Sequence, residues 1–207
     1  MSEAGYIPVV IVGAGQAGLA LSYHLKQRNI AHAVLEKIAR SGDNWRQRWD
    51  TLRLFSPVRY NHLPGLKFPG ATWHLPDKDE AADYLAEYVR HHRLPVRTGV
   101  EVHSATPHAA GFLLETNTGS LRAGKMVLAT GAYGTPWQPD VPGFRSSDIP
   151  SIHTSAYRNP SEVPKGNVHV VGASASGQQI ARELARTRKV WLAGPEVSNL
   201  PRKILCI

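Results

Sequence analysis

The stretch that most limits what this chain can fold into is Gly13-Ala14-Gly15-Gln16-Ala17-Gly18, because of what flanks it. Residues 8–12 before it read Pro-Val-Val-Ile-Val, a short β-branched run of the kind buried on both faces of a parallel sheet. Residues 16–28 after it carry Leu19, Leu21 and Leu25 at near-helical spacing and end on Lys26 and Arg28, where cations suit the helix dipole. Residues 32–36 return as a second strand that ends on Glu36, with Lys37 beside it. Strand, tight turn, helix and strand make a βαβ unit. In such a unit Gly13 permits the turn, Gly15 lets backbone approach a pyrophosphate, and Gly18 lets helix and strand pack closely. Gln16 and Ala17 open the helix, whose free amides face the phosphates, and Glu36 would accept hydrogen bonds from ribose hydroxyls, with glutamine the milder replacement there. A dinucleotide site is expected, with a purely structural glycine turn as the alternative.

A second opening of the same kind occurs at Gly172-Ala173-Ser174-Ala175-Ser176-Gly177. Strand 168–171 precedes it, and helix 178–187 and strand 190–192 follow, so the unit is an internal repeat. Serine replaces the middle glycine, which permits a phosphate to approach somewhat less closely. The second strand runs into Ala193-Gly194-Pro195 with no acid, so nothing there would repel a ribose 2′-phosphate, a pattern that leans towards NADP over NAD. Arg202 and Lys203 follow, either as partners of that phosphate or as solvated surface. Two nucleotide units in one chain suggest a relay in which a nicotinamide passes hydride to a flavin.

Between the two units, residues 41–70 form a long irregular connection rich in Trp, Arg, Pro and Gly, whose aromatics argue against disorder. Residues 79–94 read as an amphipathic helix capped at Asp77 or Asp79, with Ala82, Leu85 and Val89 inward. Strands at 96–102, 112–117 and 126–129 resemble a small β-meander that leads back to the parallel sheet. Residues 134–142 hold three prolines and read as a linker. The fold class is therefore α/β: a Rossmann-type domain over residues 1–145 and a partial second one over 146–207.

Composition narrows the setting. No apolar run approaches the length of a membrane span, and the run from Ile7 to Leu21 is preceded by Glu3 and broken by glycines, unlike a signal-peptide core. The single cysteine, Cys206, leaves no internal disulfide and no Cys-x-x-Cys pair, which fits a cytoplasmic setting. Lys and Arg exceed Asp and Glu by 24 to 16, yet they are scattered rather than interleaved with aromatics, so no nucleic-acid partner is expected. No metal site is expected, and a homo-oligomer stays open.

The intervening segments carry a resemblance. Gly42-Asp43-Asn44-Trp45-Arg46, followed by Trp49-Asp50-Thr51-Leu52-Arg53-Leu54, resembles the loop after the second strand in flavin-containing monooxygenases. Ala129-Thr130-Gly131 is similar to the strand end where that family touches its flavin again, and His153-Thr154-Ser155-Ala156-Tyr157-Arg158 to the second half of its fingerprint. The resemblance implies FAD in the first domain, near Gly13, Gly15, Gly18, Glu36, Trp45, Arg46, Thr130 and Gly131, and NADPH in the second, at Gly172, Ser174, Ser176 and Gly177. It implies NADPH- and O2-dependent oxygenation of a small molecule. An NAD(P)H-dependent flavin reductase and a non-catalytic nucleotide-binding remnant are the alternatives. Four positions depart from the pattern: Ser147 and Ile149 replace the fingerprint's opening Phe-x-Gly, Ser56 replaces an asparagine of animal members, and Pro195 replaces a frequent arginine. The family's chains are longer, so a chain of this length is expected to be a poor catalyst that holds FAD loosely and NADPH hardly at all.

Overall fold

The structure is a computed structural model that describes residues 5–140, 142 and 149–195. Strand β1 (Gly5–Val12), helix α1 (Gln16–Gln27) and strand β2 (His32–Glu36) form the first unit, with β1 and β2 parallel in the register Val9↔His32 to Val12↔Leu35. A short helix α2 (Asp43–Arg46) and a 3-10 turn at Val58–Tyr60 break up the long connection before helix α3 (Lys78–His92). Then come β3 (Val96–Thr98), β4 (Val102–His108), β5 (Gly111–Thr116) and β6 (Gly119–Leu128). All six strands share one sheet in the order β3-β2-β1-β6-β5-β4. The second unit is β7 (Val168–Val171), α4 (Ala175–Leu184) and β8 (Val190–Ala193), with β7 and β8 a parallel pair.

The expected run 96–102 is two strands rather than one. Gly99 turns the chain at φ +70, so β3 joins the parallel sheet outside β2 while β4 starts the meander. The strand expected at 126–129 begins at Gly119, and this longer β6 has two roles: its first half pairs antiparallel with β5, and Leu121 to Leu128 pair parallel with β1. Helix α4 starts three residues before the expected Gln178, directly on the glycine loop.

Side-chain alternation along β1 splits the core between the two faces of the sheet. Ile11, with Val34 of β2, packs against Leu19 of α1 and Tyr84, Leu85 and Tyr88 of α3. Val10, with Leu35, faces the other way and meets Leu114 and Ala123 of the meander. Within the helical layer, buried Ser22 pairs with His32 Nε2 at 2.8 Å, while His32 Nδ1 lies 2.8 Å from the Ile30 carbonyl. A carbonyl only accepts, so Nδ1 carries the proton and Nε2 accepts from the serine.

Helix α3 holds the irregular connection in place. Its N-terminus is a capping box: Asp77 accepts from the Asp79 and Glu80 amides, and Glu80 accepts from the Asp77 amide at 2.8 Å. Further along, the Tyr84 hydroxyl accepts from the Leu63 amide and donates to the Leu66 carbonyl, and the Tyr88 hydroxyl donates to the Pro64 carbonyl. Burial pushes both phenols up, so they remain donors throughout the physiological range. The loop's polar backbone is thus satisfied partly by these side chains and partly by backbone pairing, the Leu54 amide with the Pro76 carbonyl and the Val58 amide with the His74 carbonyl.

The C-terminal end of α3 is capped from α1: Lys26 Nζ donates to the carbonyls of His92 and Arg93. His92 packs edge-on against Tyr23 and Tyr88, and its buried Nε2 has no hydrogen-bond partner among the described residues. Burial, then the neighbouring His91 and Lys26 charges, hold its pKa below the usual histidine value. The folded state thus resists taking up a proton that the unfolded chain accepts below about pH 6.5. Stability should be flat above that value and fall as pH drops below it. His92→Leu should flatten the acid limb, as measured by urea midpoints between about pH 7.5 and 5.5; an acid limb of unchanged slope in the variant would show that other groups cause it.

Candidate functional site

Two loops of nearly identical backbone lie at the carboxyl ends of parallel strands. In the first, Gly13 sits at φ +106 and Gly15 caps α1 at φ −78, ψ −174. In the second, Gly172 sits at φ +105 and Ser174 caps α4 at φ −76, ψ −175. Both helix N-termini lack a side-chain cap and have no acid in the first turn, whereas α3 has both. Uncapped amides at the positive end of a helix dipole suit an anion.

The glycines of the first loop differ in why they are glycine. Gly13 needs its left-handed φ, and a Cβ there would lie 2.5 Å from the Ala129 carbonyl oxygen. A Cβ on Gly18 would overlap the Gly13 carbonyl oxygen, so α1 can sit this close to β1 only without one. Gly15 is different, since its φ is ordinary and a Cβ would meet no atom of the described residues within 4 Å. No contact among the described residues asks for glycine there, and the cradle that a Cβ would fill is the space in front of the α1 amides. That fits a pyrophosphate.

Glu36 closes the first loop. Its carboxylate accepts from the Ala14 amide at 2.7 Å through one oxygen and from the Ile38 amide at 3.1 Å through the other. A carboxylate has about four lone-pair sites, so both oxygens can still accept from ribose hydroxyls. A glutamine has one oxygen and one NH2 group, and would leave one of the two amides facing a donor. It is therefore not the mild replacement expected from sequence.

The same register identifies Glu36's counterpart in the second unit. The Gly13 amide donates to the Leu35 carbonyl, and the Gly172 amide to the Ala193 carbonyl, each at 2.7 Å. Gly194 therefore stands where Glu36 does. A Cβ on Gly194 would lie 2.7 Å from the Ala173 amide nitrogen, the atom equivalent to the one that Glu36 engages. This equivalence depends on strand register, so the sequence alone could show only that no acid was nearby.

The remaining expected residues have mixed surroundings. Gln16, Ala17 and Lys37 are exposed beside the first loop, and Ser174 and Ser176 beside the second, while Gly177 is buried because a Cβ would overlap the Gly172 carbonyl oxygen. After β6, Ala129 and Thr130 lie against Gly13, and Gly131 comes next in the chain at φ +71. Trp45 lies between two core clusters, so packing accounts for much of it. Arg46 pairs with Asp43 at 2.8 Å and also with Asp83. Although burial alone would raise Asp43, hydrogen bonds from Arg40 and Arg46 hold its carboxyl below the usual carboxylate range. Arg202 lies outside the described residues.

The second unit rests on the segment Trp49–Leu54. Trp49, Leu52 and Leu54 form one cluster with Tyr157, Val170, Ile180, Ala181 and Leu184. The Tyr157 hydroxyl donates to buried Glu183 at 2.8 Å, and burial, reinforced by that acid, pushes the phenol up. His153, by contrast, makes only local bonds among the described residues, its Nδ1 accepting from the Ser155 amide. Trp49 Nε1, buried in this seam, has no acceptor among the described residues.

The fold and the two glycine loops define a class, the Rossmann-type α/β proteins. The description of the pyridine nucleotide-disulphide oxidoreductase family matches residues 10–198, and the chain belongs to that family. It is 42% identical over 200 residues to an uncharacterized CzcO-like oxidoreductase of Geobacillus kaustophilus, covering 96% of this chain and 58% of that protein. With a probable indole-3-pyruvate monooxygenase, YUCCA1 of Arabidopsis thaliana, it shares 32% identity, covering 95% of this chain and 49% of that one. A flavin-containing monooxygenase structure from Stenotrophomonas maltophilia superposes with a TM-score of 0.86 at 27% identity, over 91% of this chain and 57% of that one. These comparisons bear out the resemblance to flavin-containing monooxygenases. The chain spans only 58% and 53% of the first two curated relatives it matches.

The glycine analysis separates two effects. Gly18→Ala should cost more than about 2 kcal/mol of stability, because helix and strand must part. Gly15→Ala should change stability by less than about 1 kcal/mol yet sharply weaken dinucleotide binding. Thermal melts and FAD titration of both variants test this, and equal losses of stability would show that Gly15 is structural. Glu36→Gln should weaken FAD nearly as much as Glu36→Ala, by roughly 1–3 kcal/mol, measured by the same titration.

Proposed function

We propose that this chain is the dinucleotide-binding part of an FAD-dependent flavin monooxygenase, holding FAD at the first loop and NADPH at the second. The observation that carries the reading is Gly15, a glycine that no contact among the described residues requires, set in front of uncapped helix amides. FAD would lie with its pyrophosphate on Gly13, Gly15, Gln16, Ala17 and Gly18, its ribose on Glu36 beside Lys37, and further contacts at Trp45, Arg46, Thr130 and Gly131. NADPH would lie on Gly172, Ser174, Ser176 and Gly177, with Arg202 available to the 2′-phosphate. The preference for NADPH rests on Gly194: at the position of the ribose-binding acid there is neither a charge nor room for one. The domains are read as 1–145 for FAD and 146–207 for NAD(P)H.

When bound, the flavin supplies the hydride-accepting and oxygen-reacting chemistry. The chain's residues provide the rest. Loop amides neutralise the phosphates, Glu36 orients the adenosine end, and the packed seam between the units fixes the distance between the loops. The partners proposed are a small-molecule substrate and O2. Among the described residues no helix is long and apolar enough to cross a membrane, and a cytoplasmic setting is inferred from the lone cysteine.

The test is to purify the chain, titrate it with FAD, and follow visible absorbance and then NADPH-dependent bleaching without oxygen. Saturable binding that Gly15→Val abolishes while circular dichroism stays unchanged is the expected result. FAD affinity within a few-fold of the parent in Gly15→Val would place the flavin elsewhere.

A further inference from the structure

Beyond the loops themselves, one side chain ties the second unit to the long connection at Arg53. The Gln179 amide grips the backbone of Arg53 at two points: Oε1 accepts from the Arg53 amide at 3.2 Å, and Nε2 donates to the Arg53 carbonyl at 2.9 Å. The other edge of this segment already pairs with 76–77, through the Arg53↔Asp77 bridge and the Leu54 amide bond to the Pro76 carbonyl. Gln179 therefore occupies the open edge of a short extended segment as a neighbouring strand would, using one donor and one acceptor.

Both ends of this link are anchored. On the α4 side, the adjacent Gln178 donates from Nε2 to the Ala173 carbonyl at 2.8 Å, tying the same turn of helix to the second glycine loop. On the other side, the Arg53 guanidinium bonds to the Leu75 carbonyl and lies 3.5 Å from Asp77 and 3.7 Å from Glu80, the residues of the α3 capping box. A parallel tie runs a few residues away: the Asp50 amide donates to the Arg158 carbonyl, and Asn159 Nδ2 donates to Asp50 Oδ2. The apolar seam gives adhesion without direction, whereas a two-point amide clamp fixes position along the segment and rotation about it.

We infer that Gln179 is a positioning residue that sets the second nucleotide loop against the first unit, and through it the placement of the nicotinamide donor relative to the flavin. The link to hydride transfer rests on the function proposed above; the clamp itself does not. A glutamate of the same size carries no donor at neutral pH and would turn an oxygen towards the Arg53 carbonyl, so Gln179→Glu should behave like Gln179→Ala even though it fills the same space.

Two measurements on the full chain decide this. Hydrogen exchange should show the Arg53 amide exchanging at least about tenfold faster in both variants, with the α1 amides unchanged. Anaerobic mixing of the FAD-loaded protein with NADPH should show a limiting flavin-reduction rate lowered by roughly tenfold to a hundredfold, with flavin content and NADPH Kd each within about twofold. Should Gln179→Ala fail to fold, Gln179→Glu gives the same decision with the packing kept. Unchanged Arg53 exchange, or a glutamate variant that matches the parent, would overturn the assignment. If the parent's flavin is not reduced by NADPH, the proposed function fails, and the exchange result still decides whether Gln179 is the clamp.

Discussion

Everything at the carboxyl ends of these strands depends on how closely a helix approaches the strand before it. In both units a side chain at the third glycine would overlap the carbonyl of the first, at Gly18 against Gly13 and at Gly177 against Gly172. That contact aims the N-terminus of each helix back over its own strand, so that the first-turn amides converge on one point in front of the loop. Relaxing it would leave a helix packed on a sheet, as in countless α/β proteins, without the convergent donors. The two loops share their backbone angles because they share this contact, although only one of them carries glycine at the middle position.

Given a common frame, the differences between the loops lie in a few side chains. Glu36 uses both carboxylate oxygens to brace its loop and can still accept from a sugar. The second unit braces its loop differently: Gly194 packs against Ala173, and Gln178 holds the Ala173 carbonyl. One loop is closed by a charge and the other by close packing.

Much of the first unit was legible because its determinants are local. The edges of β2 and β7 fell where the residue pattern put them, and Asp77 with Glu80 announces the start of α3 by the spacing of a capping box. What stayed hidden depends on partners distant in sequence. The loop from Pro57 to Phe68 has no regular pattern because much of its order comes from groups outside it, the hydroxyls of Tyr84 and Tyr88 and the carbonyls of Thr72 and His74. Gly99 divides two strands that look continuous in the sequence, and the grip of Gln179 on Arg53 joins groups from the two units. The equivalence of Gly194 with Glu36 required strand register, which a list of residues does not contain.

The shared strand β6 also has a consequence in time. Strand β1 is central in the sheet, yet of its two edges only the one facing β2 can be completed early; the other waits for β6, which ends at Leu128. As the chain emerges during synthesis, this central strand must carry one open edge while about half of the 207 residues are made. β6 is also the last strand of the meander, so the strand that closes that edge is the one that pairs with β5. A sheet built this way gains cooperativity from its most distant pairing, at the cost of a long interval in which β1 is open to the wrong neighbour.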